Sequence, residues 1–206
     1  MLGPPAPFVV VDREAKADSS GRIRFVCADG VEWLSEYLGR DGRVERIIPA
    51  LPLHLAAGWL AARLTGEGWT ARPLPLGDAL LACLPHAFHL SATSAVTSHA
   101  DFLCPDNCPE PELICTHTGL ARPTPLYRLL RSIHLDGLPP LVVVSRQFAP
   151  GVGGFFPEDL LNLLNLAKRL PAQGLLIATA CKCHGIVDGL YREKRSAPVA
   201  SPPQSA

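Results

Sequence analysis

Polar and apolar positions along the chain fall into short blocks whose period switches between two residues and the 3.6 of a helix. Residues 8–12, Phe-Val-Val-Val-Asp, form a β-branched run that ends in an acid. Residues 22–27, Arg-Ile-Arg-Phe-Val-Cys, alternate before turning apolar, and both segments predict strands. Asp29 is a capping-type acid ahead of helical spacing that stops at Gly39. Residues 44–48 then read as a strand, 53–64 as an apolar helix and 69–74 as a strand. This alternation is that of βαβ units and predicts a parallel sheet.

The carboxyl half repeats the rhythm. A helix is expected over 125–133, a strand over 141–145, a helix over 157–170, a strand over 175–180 and a short closing helix over 186–191. The fold class that follows is α/β: a single Rossmann-like domain over residues 1–191, with a mostly parallel sheet, helices on both faces and an inserted Cys-rich loop at 91–124. That loop is built from Ser, Thr, Pro, Asn and Cys without periodicity, and an insertion of this length in a compact domain needs something to hold it. The tail, 192–206, is too polar and proline-rich to order itself and is expected to be disordered.

Composition narrows the function classes. Nineteen basic and nineteen acidic residues cancel, so no electrostatic footprint tracks a phosphate backbone and nucleic acid is disfavoured as a partner. The apolar run at 47–62 contains Pro49, Pro52 and His54, and that at 74–90 contains Asp78, Pro85, His86 and His89. Neither predicts a membrane span. The first residues lack a signal peptide's architecture, so the expected compartment is the cytoplasm. In that reducing setting seven cysteines, an odd number, read as thiols or ligands rather than bridges.

Five of the seven stand in two clusters: Cys104, Cys108 and Cys115 in the inserted loop, and Cys181 and Cys183 followed by His184. If the clusters meet, four or five thiolates suit a soft cation, zinc or an iron–sulfur cluster. The expected first shell is Cys104, Cys108 and Cys115 with Cys181 or Cys183. His99, His117 and His184 compete for a fourth or fifth position. Pro105 and Pro109 follow Cys104 and Cys108 and would turn the chain away from a metal. Placed between a strand and a helix start, with Lys182 alongside, Cys181 and Cys183 are expected to have lowered thiol pKa values. Cys27 and Cys83 read as core packing, although Cys27 ends a strand and could face the same cleft.

A second feature is Gly151-Val152-Gly153-Gly154, between a strand and a helix, with Arg146 at the strand's end. Glycines there make Gly151, Gly153, Gly154 and Arg146 candidates for holding a phosphate or an anionic small molecule. Against this, the run matches no phosphate fingerprint, and Glu158 and Asp159 open the helix where an anion needs positive potential.

The motifs at 104–111, 115–119, 149–154 and 180–185 resemble an uncharacterised family of bacterial cysteine-rich proteins, some of whose members carry a potassium-transport label. The resemblance covers roughly the last half of the chain and implies a shared cysteine site without a known activity. The label implies an amino half similar to NAD-binding regulatory subunits of potassium uptake, whose glycine fingerprint this chain lacks. Three expectations follow: a metal-binding protein, possibly a redox or metal-dependent enzyme; a nucleotide-binding regulatory module with a structural metal; or a zinc-stapled interaction protein. The partner beyond the metal is an unknown small molecule or protein.

Overall fold

The computed structural model describes residues 8–14, 22–39, 44–135 and 137–195. Two strands, β1 (Phe8–Asp12) and β2 (Ile23–Cys27), pair in parallel as a small separate sheet. Helices α1 (Gly30–Gly39) and α2 (Leu55–Gly66) follow, then β3 (Trp69–Pro73), α3 (Asp78–Ala82) and a hairpin of β4 (Phe88–Ser91) and β5 (Ser94–Ser98). After an irregular stretch come α4 (Leu126–Arg131), β6 (Pro140–Val144) and a second hairpin, β7 (Arg146–Ala149) with β8 (Val152–Gly154). Helix α5 (Pro157–Arg169) and strands β9 (Gly174–Ala180) and β10 (His184–Lys194) complete the chain.

The main sheet is mixed and mostly antiparallel, which corrects the expected Rossmann-like parallel sheet. Its order is β4-β5-β10-β9-β6, and β3 pairs with the far half of β10. Only β6 and β9 run parallel within it. The difference traces to residues 186–191, expected as a closing helix. Ile186 and Val187 are β-branched, and burial along 184–194 follows no helical period. A three-residue turn at 181–183 folds this segment straight back onto β9, with Gly185 opposite Ala180. A tight connection can join only antiparallel neighbours. Strand β10 therefore becomes the centre of the sheet, held by β9 on one side and by β5 and β3 on the other.

Two further expectations change. Residues 44–48 make a single bridge, Ile47 to Phe155, rather than a strand. The insertion begins later than residue 91, because β5 occupies 94–98. Residues 192–194, assigned to the tail, belong to β10, whereas 196–206 lie outside the described residues.

Helices do cover both faces, as expected. Leu175 and Ile177 of β9 meet Trp59, Leu60 and Leu64 of α2 and Leu160, Leu163 and Leu164 of α5. Leu176, Ala178 and Ala180 point the other way, to Leu80 of α3 and to Leu126 and Leu130 of α4. The continuous apolar run of β9 suits a strand buried on both sides. His54 stands at the amino end of α2 with its side chain only 4% exposed. Its Nδ1 meets Asp188 Oδ2 at 2.8 Å and its Nε2 meets Thr179 Oγ1 at 2.8 Å, which satisfies both ring nitrogens in the core.

Candidate functional site

At the end of the sheet where β9 turns into β10, the irregular stretch 99–124 folds over the turn and encloses a cavity of about 430 Å³. Cys181, Cys183 and His184 line its floor; Cys104, Cys108, Cys115 and His117 line its cover. The two cysteine clusters, 66 residues apart between Cys115 and Cys181, thus face one space. Arg146, Gly151 and Gly153 line its side, whereas Gly154 stands outside it.

The floor is built by the hairpin turn. Cys181 N–H donates to the His184 carbonyl at 2.9 Å, and the Cys183 carbonyl accepts from His99 N–H at 2.8 Å. The Lys182 carbonyl accepts from Leu126 N–H at 2.9 Å, so the start of α4 is seated on the same turn. The cover is tied down through Glu110. Its carboxylate accepts from Lys182 N–H at 2.7 Å, and its carbonyl accepts from Lys182 Nζ at 3.2 Å. Glu110 has φ of 45°, an uncommon conformation for a residue other than glycine, and it lies between Pro109 and Pro111. Gln147 Nε2 donates to the Cys108 carbonyl, and Phe102 stacks on His117 with ring centroids 4.3 Å apart.

The glycine run has a packing role in this arrangement. Gly151, at φ 75°, turns β7 into β8, and a Cβ there would run into the backbone of Asp106. A Cβ on Gly154 would meet the Ile47 carbonyl, where the Ile47–Phe155 bridge forms. Gly151 therefore lets the hairpin press against the loop that carries Cys104 and Cys108. Arg146 is paired with Asp159 at 2.5 Å, the acid that caps α5.

The thiols differ in their surroundings. Cys115 opens a turn closed by Gly119 N–H on its carbonyl at 2.8 Å. The backbone N–H of Thr118, then the Thr118 hydroxyl and the N–H of His117, hold its thiol below the ordinary value. Cys181 Sγ also faces two backbone N–H groups, those of Cys183 at 3.4 Å and His184 at 3.3 Å. Burial outweighs them and, together with a hydrogen bond to the Glu110 carboxylate, pushes its pKa up to about 12. Burial also raises Cys183, against the opposing charge of Arg122, whose Nη1 donates to its sulfur. Burial, then the nearby Cys108 and Cys115, raises Cys104. Burial lowers the His184 imidazole. The expected lowering at Cys181 and Cys183 is thus reversed. No helix starts after the turn, and Lys182 points to Glu112, at 2.6 Å, rather than to the sulfurs.

Such a donor set is chemically matched to a soft cation. Among the described residues, however, no three His, Cys, Asp or Glu side chains are arranged to hold an ion together, so the donors share a cavity without forming a closed shell. Cys27 and Cys83 lie elsewhere and are exposed rather than packed in the core, each turned to a backbone carbonyl, of Arg13 and Ala79 respectively. Reasoning from the chain missed Glu110 and Arg122 as parts of the site. The prolines flanking Glu110 were a usable signal, since they restrict the backbone on both sides; Arg122 carried none.

Among the described residues no helix is long and apolar enough to cross a membrane. No solved structure matches the chain. An uncharacterized protein of the archaeon Archaeoglobus fulgidus is 28% identical over 200 residues, which cover 90% of this chain and 88% of that protein. This relative is archaeal where a bacterial family was expected, and its description does not mention potassium. A family profile described as the C-terminal domain of an uncharacterized protein matches residues 56–193, a span that holds both cysteine clusters and all of the main sheet except Lys194 at the end of β10. The chain therefore belongs to that uncharacterized C-terminal-domain family.

Proposed function

We propose that the protein binds a soft metal, zinc or an iron–sulfur cluster, through thiolates of Cys104, Cys108 and Cys115 with Cys181 or Cys183. The observation that carries this reading is the meeting of two distant cysteine clusters in one cavity. Support also comes from the backbone N–H groups directed at Cys115 and Cys181, since such donors favour the thiolate form that a metal requires. His117 and His184 line the same space as nitrogen donors able to complete a shell, whereas His99, which also lines it, has its Nε2 engaged with the Thr124 carbonyl at 2.9 Å. A bound metal would supply either a fixed cross-link between the cover and the sheet or, as a cluster, an electron-transfer centre. The chain's own contribution is to enclose the cysteines and to orient Cys181 through its hydrogen bond with the Glu110 carboxylate.

The test is metal content and the visible absorption spectrum of protein purified without oxygen. Iron with sulfide and a brown solution identifies a cluster; one colourless zinc per chain identifies a stapled site. Absence of any stoichiometric metal sinks the proposal.

A further inference from the structure

We infer that the same cavity takes a small oxyanion, a carboxylate or phosphate group, on the guanidinium of Arg122. Two other cations at this end of the molecule are already paired. Lys182 meets Glu112 at 2.6 Å and Arg146 meets Asp159 at 2.5 Å. Arg122 also lines the cavity, yet among the described residues it makes no ion pair, and its Nε is buried without a hydrogen-bond partner. Its guanidinium contact is with the sulfur of Cys183. A half-buried guanidinium with an unused donor is costly unless an anion completes it.

The arginine is also held in place. Its backbone N–H donates to the Leu113 carbonyl at 2.9 Å, next to the bridge between Ile114 and Ala121, so it is displayed from a short two-stranded ladder. A planar guanidinium presented in this way matches a carboxylate or phosphate through two parallel hydrogen bonds. At about 430 Å³ the space is larger than one metal ion occupies and falls in the range of small-molecule sites. Ser145 and His99 line it as further polar groups. The inference does not need the metal, since Arg122 is not itself a proposed ligand and meets the thiolate shell only at the sulfur of Cys183.

The experiment titrates inorganic phosphate and, separately, succinate into the reduced full-length protein by calorimetry at low ionic strength, both as purified and after chelation. The expected result is saturable one-to-one binding of at least one probe, weakened at least about tenfold in Arg122→Gln. Arg122→Lys keeps the charge and loses the fork, so intermediate binding is expected; it carries the comparison if Arg122→Gln does not fold. Binding of neither probe to the unsubstituted protein overturns the inference, as does equal binding by both variants. Metal content of the same samples reports separately on the thiolate site, so the two readings fail independently.

Discussion

Replacing Gly151 with Ala tests how the hairpin of β7 and β8 positions the cysteine loop. Two costs act together. The residue sits at φ 75°, where an L side chain is strained by about 1–2 kcal/mol. The added Cβ also runs into the carbonyl of Asp106, midway between Cys104 and Cys108, and overpacking of this kind costs typically about 1–3 kcal/mol. Gly68 provides the control, because it has φ 82° but open space where a Cβ would sit. Gly68→Ala should therefore show the backbone cost alone. For a chain of this size each kcal/mol lowers the melting temperature by about 2–4 °C. Gly68→Ala is thus expected to melt a few degrees lower, and Gly151→Ala lower still by about 2–12 °C. Thermal denaturation followed by circular dichroism measures both, and bound metal per chain shows whether the displaced loop also weakens the site. If Gly151→Ala melts no lower than Gly68→Ala, the hairpin does not press on the loop and the account of Gly151 fails.

Cys108→Ser should lose most of the bound metal while retaining the sheet, and unchanged metal content would remove Cys108 from the shell. His54→Ala leaves a cavity and strands the half-buried Asp188 carboxylate and Thr179 hydroxyl, and should cost about 1–3 kcal/mol in urea unfolding; a loss under about 0.5 kcal/mol would mean that water replaces the imidazole freely. The raised Cys181 pKa makes a signed pH prediction for the metal-free, reduced protein. The folded state keeps the proton up to about pH 12, while the unfolded thiol loses it near 9. Stabilisation by Cys181 is therefore complete below pH 9 and is lost between 9 and 12, at up to about 1.4 kcal/mol per pH unit. Other groups also contribute to the alkaline slope, so the readout is the difference in slope from Cys181→Ala, which should be flatter. Identical slopes would contradict the burial of this thiol next to Glu110.

Most single elements of the carboxyl half were legible because their signals are local. Pro157, Glu158 and Asp159 mark the start of α5, and its apolar residues recur at helical spacing. The β-branched run Val142-Val143-Val144 marks β6 equally well. The segment at 186–191 failed as a local reading because glycines at 185 and 189 blur its period. Its extended form is settled by pairing with three other strands, which no window of the chain contains. That one segment also decides the sheet's direction, so the error passed directly into the fold class. The thiol pKa values failed for the same reason: without the closing helix there is no dipole, and the dominant influence on Cys181 is burial under a loop some 70 residues away.

Taken by itself, the chain determined which residues are chemically able to form a site, five cysteines in two clusters with histidines beside them, and which short stretches prefer helix or strand. Those properties depend on side-chain chemistry and near neighbours. Tertiary structure decided that the clusters share one cavity, that Glu110 and Arg122 join them, and that Gly151 serves packing against the Cys104–Cys108 loop. Burial, charge pairing and close approach are relations between distant segments, and they acquire values only once the chain has folded.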